Sequence, residues 1–255
     1  MRRFRLDIAY DGTHFEGWQT QEHEARVGRT VQSDLEAAVE TLVRHRVDVV
    51  GAGRTDSGVH ARGQTAHFDA ETRMQGVHFT RGLNSLLPPD VRITRCVEVG
   101  PGFHARFTAL SRVYQYQMVV SPSLLPWEER YYHRLTTLPP LPQLNAMAGL
   151  LHGELDFTSF SQAKDPHRSR TRYIYHSVFY PQGDKVIYEI AGNAFLWRMV
   201  RSLVGTLLDF GARGWGPAEF RDALEAKDRR RAGPTAPAKG LYLHKVIYDE
   251  HELSF

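Results

Sequence analysis

The feature that most restricts the fold is an order of apolar patterns that occurs once and then recurs. Arg5 to Tyr10 reads as a short strand, closed by the turn Asp11-Gly12-Thr13. Val31, Leu35, Ala38, Val39 and Leu42 fall at helical spacing, which predicts a helix over Val31 to Val43. Val47 to Ala52 and Gln64 to Asp69 read as two strands with a glycine-rich loop between them. Val77 to Leu87 fits a helix stopped by Pro88-Pro89, and Val91, Ile93, Val97 and Val99 mark a strand of period two. The order is therefore strand, helix, strand, strand, helix, strand.

The same order follows in the second half. Arg112 to Val120 is a strand, Leu141 to Leu151 an amphipathic helix, and Tyr173 to Tyr180 with Lys185 to Ala191 a hairpin turning at Gln182-Gly183-Asp184. Ala194 to Phe210 reads as the strongest helix, with Arg198 and Arg201 on one of its faces. Pro217 opens another short helix, and Leu241 to Tyr248 supplies a last strand. The predicted class is α+β: two ferredoxin-like β-α-β-β-α-β halves, residues 1–105 and 106–255. Their mainly antiparallel sheets would lie side by side, with helices on one face and an RNA-binding cleft on the other. Such a fold hosts many functions and does not by itself name one.

Composition narrows the classes. A single cysteine, Cys96, excludes an intramolecular disulfide and a thiolate-rich metal site. The thirteen histidines show no metal-ligand spacing, so neither a metal nor another cofactor is expected. With no long apolar run, the expectation is a cytoplasmic protein without membrane contact. Net charge is only +3, yet just five of the 32 basic residues are lysine. Guanidinium groups fork onto phosphates, which suits a nucleic-acid partner, although a genome-wide arginine bias gives the same count.

The densest chemistry lies in Gly51-Ala-Gly-Arg-Thr-Asp-Ser-Gly-Val-His60. Its glycines allow sharp turns and close approach of a ligand, and between them stand Arg54, Asp56 and His60. Three readings are open: a functional site, a tight turn in which Asp56 bonds its own backbone, and a phosphate cradle. The last lacks the Gly-Lys-Ser/Thr ending of a P-loop.

Gly53-Arg-Thr-Asp-Ser-Gly-Val-His60 resembles the signature of the TruA family of tRNA pseudouridine synthases. Tyr10-Asp-Gly-Thr-His-Phe-Glu-Gly-Trp-Gln19, Arg112-Val-Tyr-Gln-Tyr116, Asp156-Phe-Thr-Ser-Phe160, Phe195-Leu-Trp-Arg-Met-Val-Arg-Ser-Leu-Val-Gly205 and Gly240-Leu-Tyr-Leu243 are similar to further blocks of that family, in the family's order. The resemblance implies an isomerase that converts uridine to pseudouridine in the anticodon stem-loop, as a homodimer bound to tRNA. It makes Asp56 the catalytic carboxylate and Arg54 an aid to flipping or holding the RNA. Tyr114 becomes the ring that stacks on the target base, Arg201 the cation paired with the aspartate, and Leu241 apolar packing for the uracil. Arg62, Lys164, Arg168, Arg170, Arg172 and Arg198 are candidate tRNA contacts. In the family a proline commonly follows the motif seen here as Ser169-Arg-Thr171, so the local loop differs. The rivals are an RNA-binding module without catalysis and a synthase acting on another RNA.

Overall fold

The computed structural model describes residues 1–19, 28–163, 165 and 167–253. The chain divides into two compact units, one of Met1–Leu110 with Leu243–Glu250, the other of Ser111–Tyr242 with the C-terminal residues from His251 onward. Both are α+β with mainly antiparallel sheets.

In the first unit the strand order is β4 (Val91–Val99), β1 (Arg2–Tyr10), β3 (His60–Ala70), then the part of β10 (Leu241–Ile247) that begins at Leu243. β1 runs antiparallel to both of its neighbours, from Arg2 opposite Ala70 to Tyr10 opposite Ala61. Its even-numbered residues Phe4, Leu6, Ile8 and Tyr10 are buried, as period-two alternation requires of a strand with one face on the core. That face is covered by α1 (Val31–Val43) and α2 (Gly76–Leu86). Phe79 of α2 packs 4.8 Å from Phe4 and 5.3 Å from Phe68. Phe79 is fully buried, and replacing such a side chain by alanine costs about 3–5 kcal/mol. α1 starts where the sequence predicts because Thr30 and Ser33 cap it reciprocally; Thr30 Oγ1 accepts from Ser33 N–H at 3.2 Å.

The strand predicted over Val47 to Ala52 shrinks to β2 (Val50–Gly51) against β3. Val47 and Val49 are buried by packing, but Val49 N–H donates to Glu36 Oε1 of α1 at 3.1 Å, so the ladder ends there.

In the second unit the order is β5 (Ser111–Val120), β9 (Lys185–Gly192), β8 (Thr171–Gln182), β7 (Gly153–Asp156), all antiparallel. A three-residue β6 (His133–Leu135) pairs parallel to β5. The β8–β9 hairpin turns through Gly183 at φ 63°, with Gln182 opposite Lys185. α3 (Leu141–Ala148), α4 (Met199–Ala212) and α5 (Pro217–Glu225) share an aromatic core in which Phe220 stacks on Phe160 at 5.5 Å and meets Phe210 edge-on.

α4 begins five residues later than the apolar pattern predicts. Arg198 sits at φ 59°, left-handed and incompatible with an α-helix, and the Trp197 N–H is bonded to the Asp165 carboxylate. Arg198 is thus the residue before the helix, and it does not share a helical face with Arg201.

Candidate active site

The loop from β2 to β3 is held in place by contacts the sequence reading did not foresee. Ala52 N–H donates to Thr65 O at 2.7 Å, and the buried Gln64 side chain donates through Nε2 to Gly53 O at 2.8 Å. On its other side the loop lies against residues 10 to 18. Trp18 N–H donates to Thr55 O at 3.1 Å, Gly58 N–H to Phe15 O at 3.4 Å, and Ser57 Oγ to the same carbonyl at 3.2 Å. Tyr10 Oη and Thr55 Oγ1 are 2.8 Å apart and buried. Gly12 N–H donates to Nδ1 of His60, whose side chain is 2% exposed. His60, one of three functional groups picked out in the sequence, therefore works as an anchor for the loop.

Within this frame Asp56 opens a β-turn. Val59 N–H donates to Asp56 O at 3.1 Å, and Gly58 occupies the third position at φ 76°, the conformation a type II turn asks of glycine. The close packing also explains the glycines of the neighbouring segment. A Cβ on Gly17, itself at φ 104°, would lie 2.6 Å from Thr55 O, and one on Gly51 would meet the Trp18 indole at 2.5 Å. Asp56 is half-buried, while Arg54 and Arg62 are exposed. Partial burial and then the Arg106 charge lower the Arg54 pKa from its ordinary value.

The second unit carries the other residues singled out by the sequence. Tyr114, on β5, is buried, and its ring meets Phe195 edge-on at 5.1 Å. Arg201 lies in the first turn of α4. Its Nε donates to Ala236 O at 2.8 Å while Ala236 N–H returns a bond to Arg201 O at 3.0 Å, which joins the helix to the segment leading into Leu241. Nearby, Tyr116 Oη donates to Pro237 O at 2.9 Å, and a Cβ on Gly240 would meet the Tyr116 ring at 2.8 Å. Leu241, buried at the start of β10, is placed by these contacts.

The basic segment of residues 161 to 172 is organised by a carboxylate that sequence reasoning missed. The Asp165 side chain is fully buried and accepts from His167 N–H at 2.9 Å, from the His167 ring at 2.7 Å and from Trp197 N–H. Burial alone would raise its pKa; the N–H donors of His167 and Trp197 and the imidazole outweigh it and hold the group below the usual carboxylate range. No local pattern announces such a residue, because its partners lie up to 32 positions away. Arg170 donates to Ser161 Oγ, Gln162 O and Asp165 O, and the buried Arg172 to Ser169 O and Thr171 O. Arg168 and Arg198 are exposed, with Arg198 over the Trp197 ring at 5.1 Å. Lys164 lies outside the described residues.

A family model described as tRNA pseudouridine synthase matches residues 8–108 and 147–249. A tRNA pseudouridine synthase A of Treponema denticola is 46% identical over 247 residues, covering 96% of this chain and 92% of that protein. The Treponema pallidum protein of that name is 43% identical over 236 residues, covering 92% and 84%. One from an Exiguobacterium species is 38% identical over 250 residues, covering 98% and 99%. The matched segments include the clamped Asp56 loop, β10 and the whole of α4, and with such relatives along nearly its full length the chain belongs to the tRNA pseudouridine synthase family.

Proposed function

We propose that this chain converts uridine to pseudouridine in the anticodon stem-loop of tRNA, with Asp56 as the catalytic group. The observation that carries the reading is the setting of that carboxylate. It is half-exposed on a turn whose backbone is tied down from both sides, so it can meet a substrate without being free to wander.

The reaction breaks the bond from C1′ to N1, turns the uracil and joins C1′ to C5. C5 gives up its proton and N1 gains one, so atoms balance with no oxidant and no phosphate transfer. A carboxylate serves as nucleophile at C1′ or C6, or as the base that removes the 2′ proton. The loosened uracil has to be kept in the site, and we assign that to the Tyr114 ring and the apolar Leu241. Arg54 and Arg201 are the cations assigned to substrate binding. The target base must leave its stack at a cost of a few kcal/mol. Phosphate contacts from exposed arginines offset this, and Arg62, Arg168 and Arg198 are the exposed candidates. Arg170 and Arg172 shape the loop that carries Arg168.

The assembly proposed is a cytoplasmic homodimer gripping tRNA. Among the described residues no helix is long and apolar enough to cross a membrane. The test of substrate and position is carbodiimide mapping of an unmodified tRNA transcript after incubation with the protein. Reverse-transcription stops confined to anticodon-arm uridines are the expected result; stops elsewhere, or only in another RNA, refute the assignment.

A further inference from the structure

A ladder of rings leads out of the first unit and ends on a largely exposed side chain. Phe103 meets His67 edge-on at 6.2 Å, His67 lies 4.6 Å from His104, and His104 stacks on Phe107 at 4.3 Å with 30° between the ring planes. Phe107 itself is 76% exposed. Leaving a phenylalanine in water forgoes the free energy of burying it, and here the chain holds it outward rather than letting it fold back.

The support is rigid. His104 Nδ1 accepts from the N–H groups of Arg106 and Phe107, both at 3.2 Å. Thr108 N–H and Oγ1 donate to His104 O at 3.0 and 2.7 Å. Ala105, fully buried, donates its N–H to His67 Nδ1 and accepts at its carbonyl from Tyr248 Oη at 2.7 Å. Arg3 donates to Phe103 O and Pro101 O. An Nδ1 that accepts bonds carries no proton, and burial followed by the Arg3 charge lowers the His104 pKa, so the stacked imidazole is neutral.

A positive charge lies beside the exposed ring. The Arg106 guanidinium lies 5.7 Å from the Phe107 centroid, and its charge is felt at Arg54, two residues before Asp56 in the chain. A flat π-face beside a guanidinium group fits a nucleobase with its phosphate, whereas a protein partner would favour an apolar surround.

We propose that Phe107, backed by His104 and flanked by Arg106, is a stacking platform for one unpaired base of the tRNA. It is a positioning site distinct from Tyr114, and the inference rests on the tRNA reading given above. Its use is to hold the RNA register while another nucleotide enters the catalytic loop.

The test compares wild type with Phe107→Ala, Phe107→Leu and Phe107→Tyr in the full-length chain, using a fluorescein-labelled unmodified tRNA transcript. Alanine is expected to raise Kd about 5- to 150-fold, the span measured for one base–aromatic stack. Leucine should weaken binding in the same direction, and tyrosine, which keeps the π-face, should stay within about twofold. The slope of log Kd against log salt should not change, because no phosphate contact is lost. Melting temperature monitors folding, to which so exposed a ring contributes little. Wild-type binding by the alanine variant, or leucine binding as well as tyrosine, overturns the platform. A changed oligomeric state with unchanged tRNA affinity overturns it in favour of a protein contact. Tritium release from C5-labelled uridine, measured in parallel on wild type, separates the two claims: its absence refutes the synthase reading, while the Kd series judges Phe107 alone.

Discussion

Gly17→Ala tests whether residues 10 to 18 position the Asp56 loop. An alanine Cβ at this site would stand 2.6 Å from Thr55 O and 3.3 Å from both the Asp56 carbonyl carbon and Ser57 N. An ordinary contact begins near 3.4 Å, so Thr55 must retreat by roughly 0.8 Å, and it carries Asp56 with it. The Trp18 N–H to Thr55 O bond, 3.1 Å long, would be stretched by the same movement. The backbone at φ 104° adds strain of about 1–3 kcal/mol for a residue with a Cβ, on top of about 1–3 kcal/mol for crowding. A displacement approaching 1 Å in a catalytic group can lower the rate about 100-fold. The expected result is a kcat for tritium release reduced about 10- to 100-fold at a temperature where the variant is folded, with tRNA affinity nearly intact. Gly100→Ala is the control, since a Cβ there meets nothing within 4 Å. A Gly17→Ala enzyme with kcat within about twofold of wild type would refute the clamp.

Three further outcomes follow from buried polar groups. Burial first, with the Arg3 charge acting the same way, pushes the His67 pKa down from 6.5 to about 4. Between those values the unfolded chain binds the extra proton. Stability should therefore rise with pH across that window by up to about 3 kcal/mol and level off above it. Thermal melts from pH 4 to 7 check this, and a His67→Gln chain with an undiminished slope would contradict it. Tyr10→Phe removes the hydroxyl that meets Thr55 Oγ1 and should cost about 1–2 kcal/mol in denaturant unfolding; no loss would mean that the pair is not formed. Tyr116→Phe strips the donor from Pro237 O ahead of Leu241. We expect about 1 kcal/mol of destabilisation and a raised KM, and an unchanged KM would separate Leu241 from substrate binding.

The elements set by local periodicity were legible in the sequence. Val91 to Val99 is a strand with the predicted ends, and Val31 to Val43 is a helix because Thr30 and Ser33 supply its cap at the expected place. What escaped depends on partners distant in sequence. The apolar run from Ala194 promised five more residues of helix, but the Asp165 carboxylate captures the Trp197 N–H and Arg198 turns left-handed. β6 and β7, with three and four residues, are too short to show a period. In the site, the glycines and charged groups around Asp56 were visible. That Tyr10, Phe15, Gly17 and Trp18 form the wall against which the loop is pressed was not, because a family block records which residues stand together and not what they touch.

The central claim is that the Asp56 carboxylate performs uridine isomerisation, and its most direct test is tritium release from C5-labelled uridine in unmodified tRNA by wild type and by Asp56→Asn. Asparagine keeps the shape of the side chain and removes its charge. Release by wild type, with none from the variant while its tRNA binding is retained, is the predicted result. Release by both proteins would take Asp56 out of the chemistry, and binding without release by either would leave an RNA-binding protein rather than a synthase.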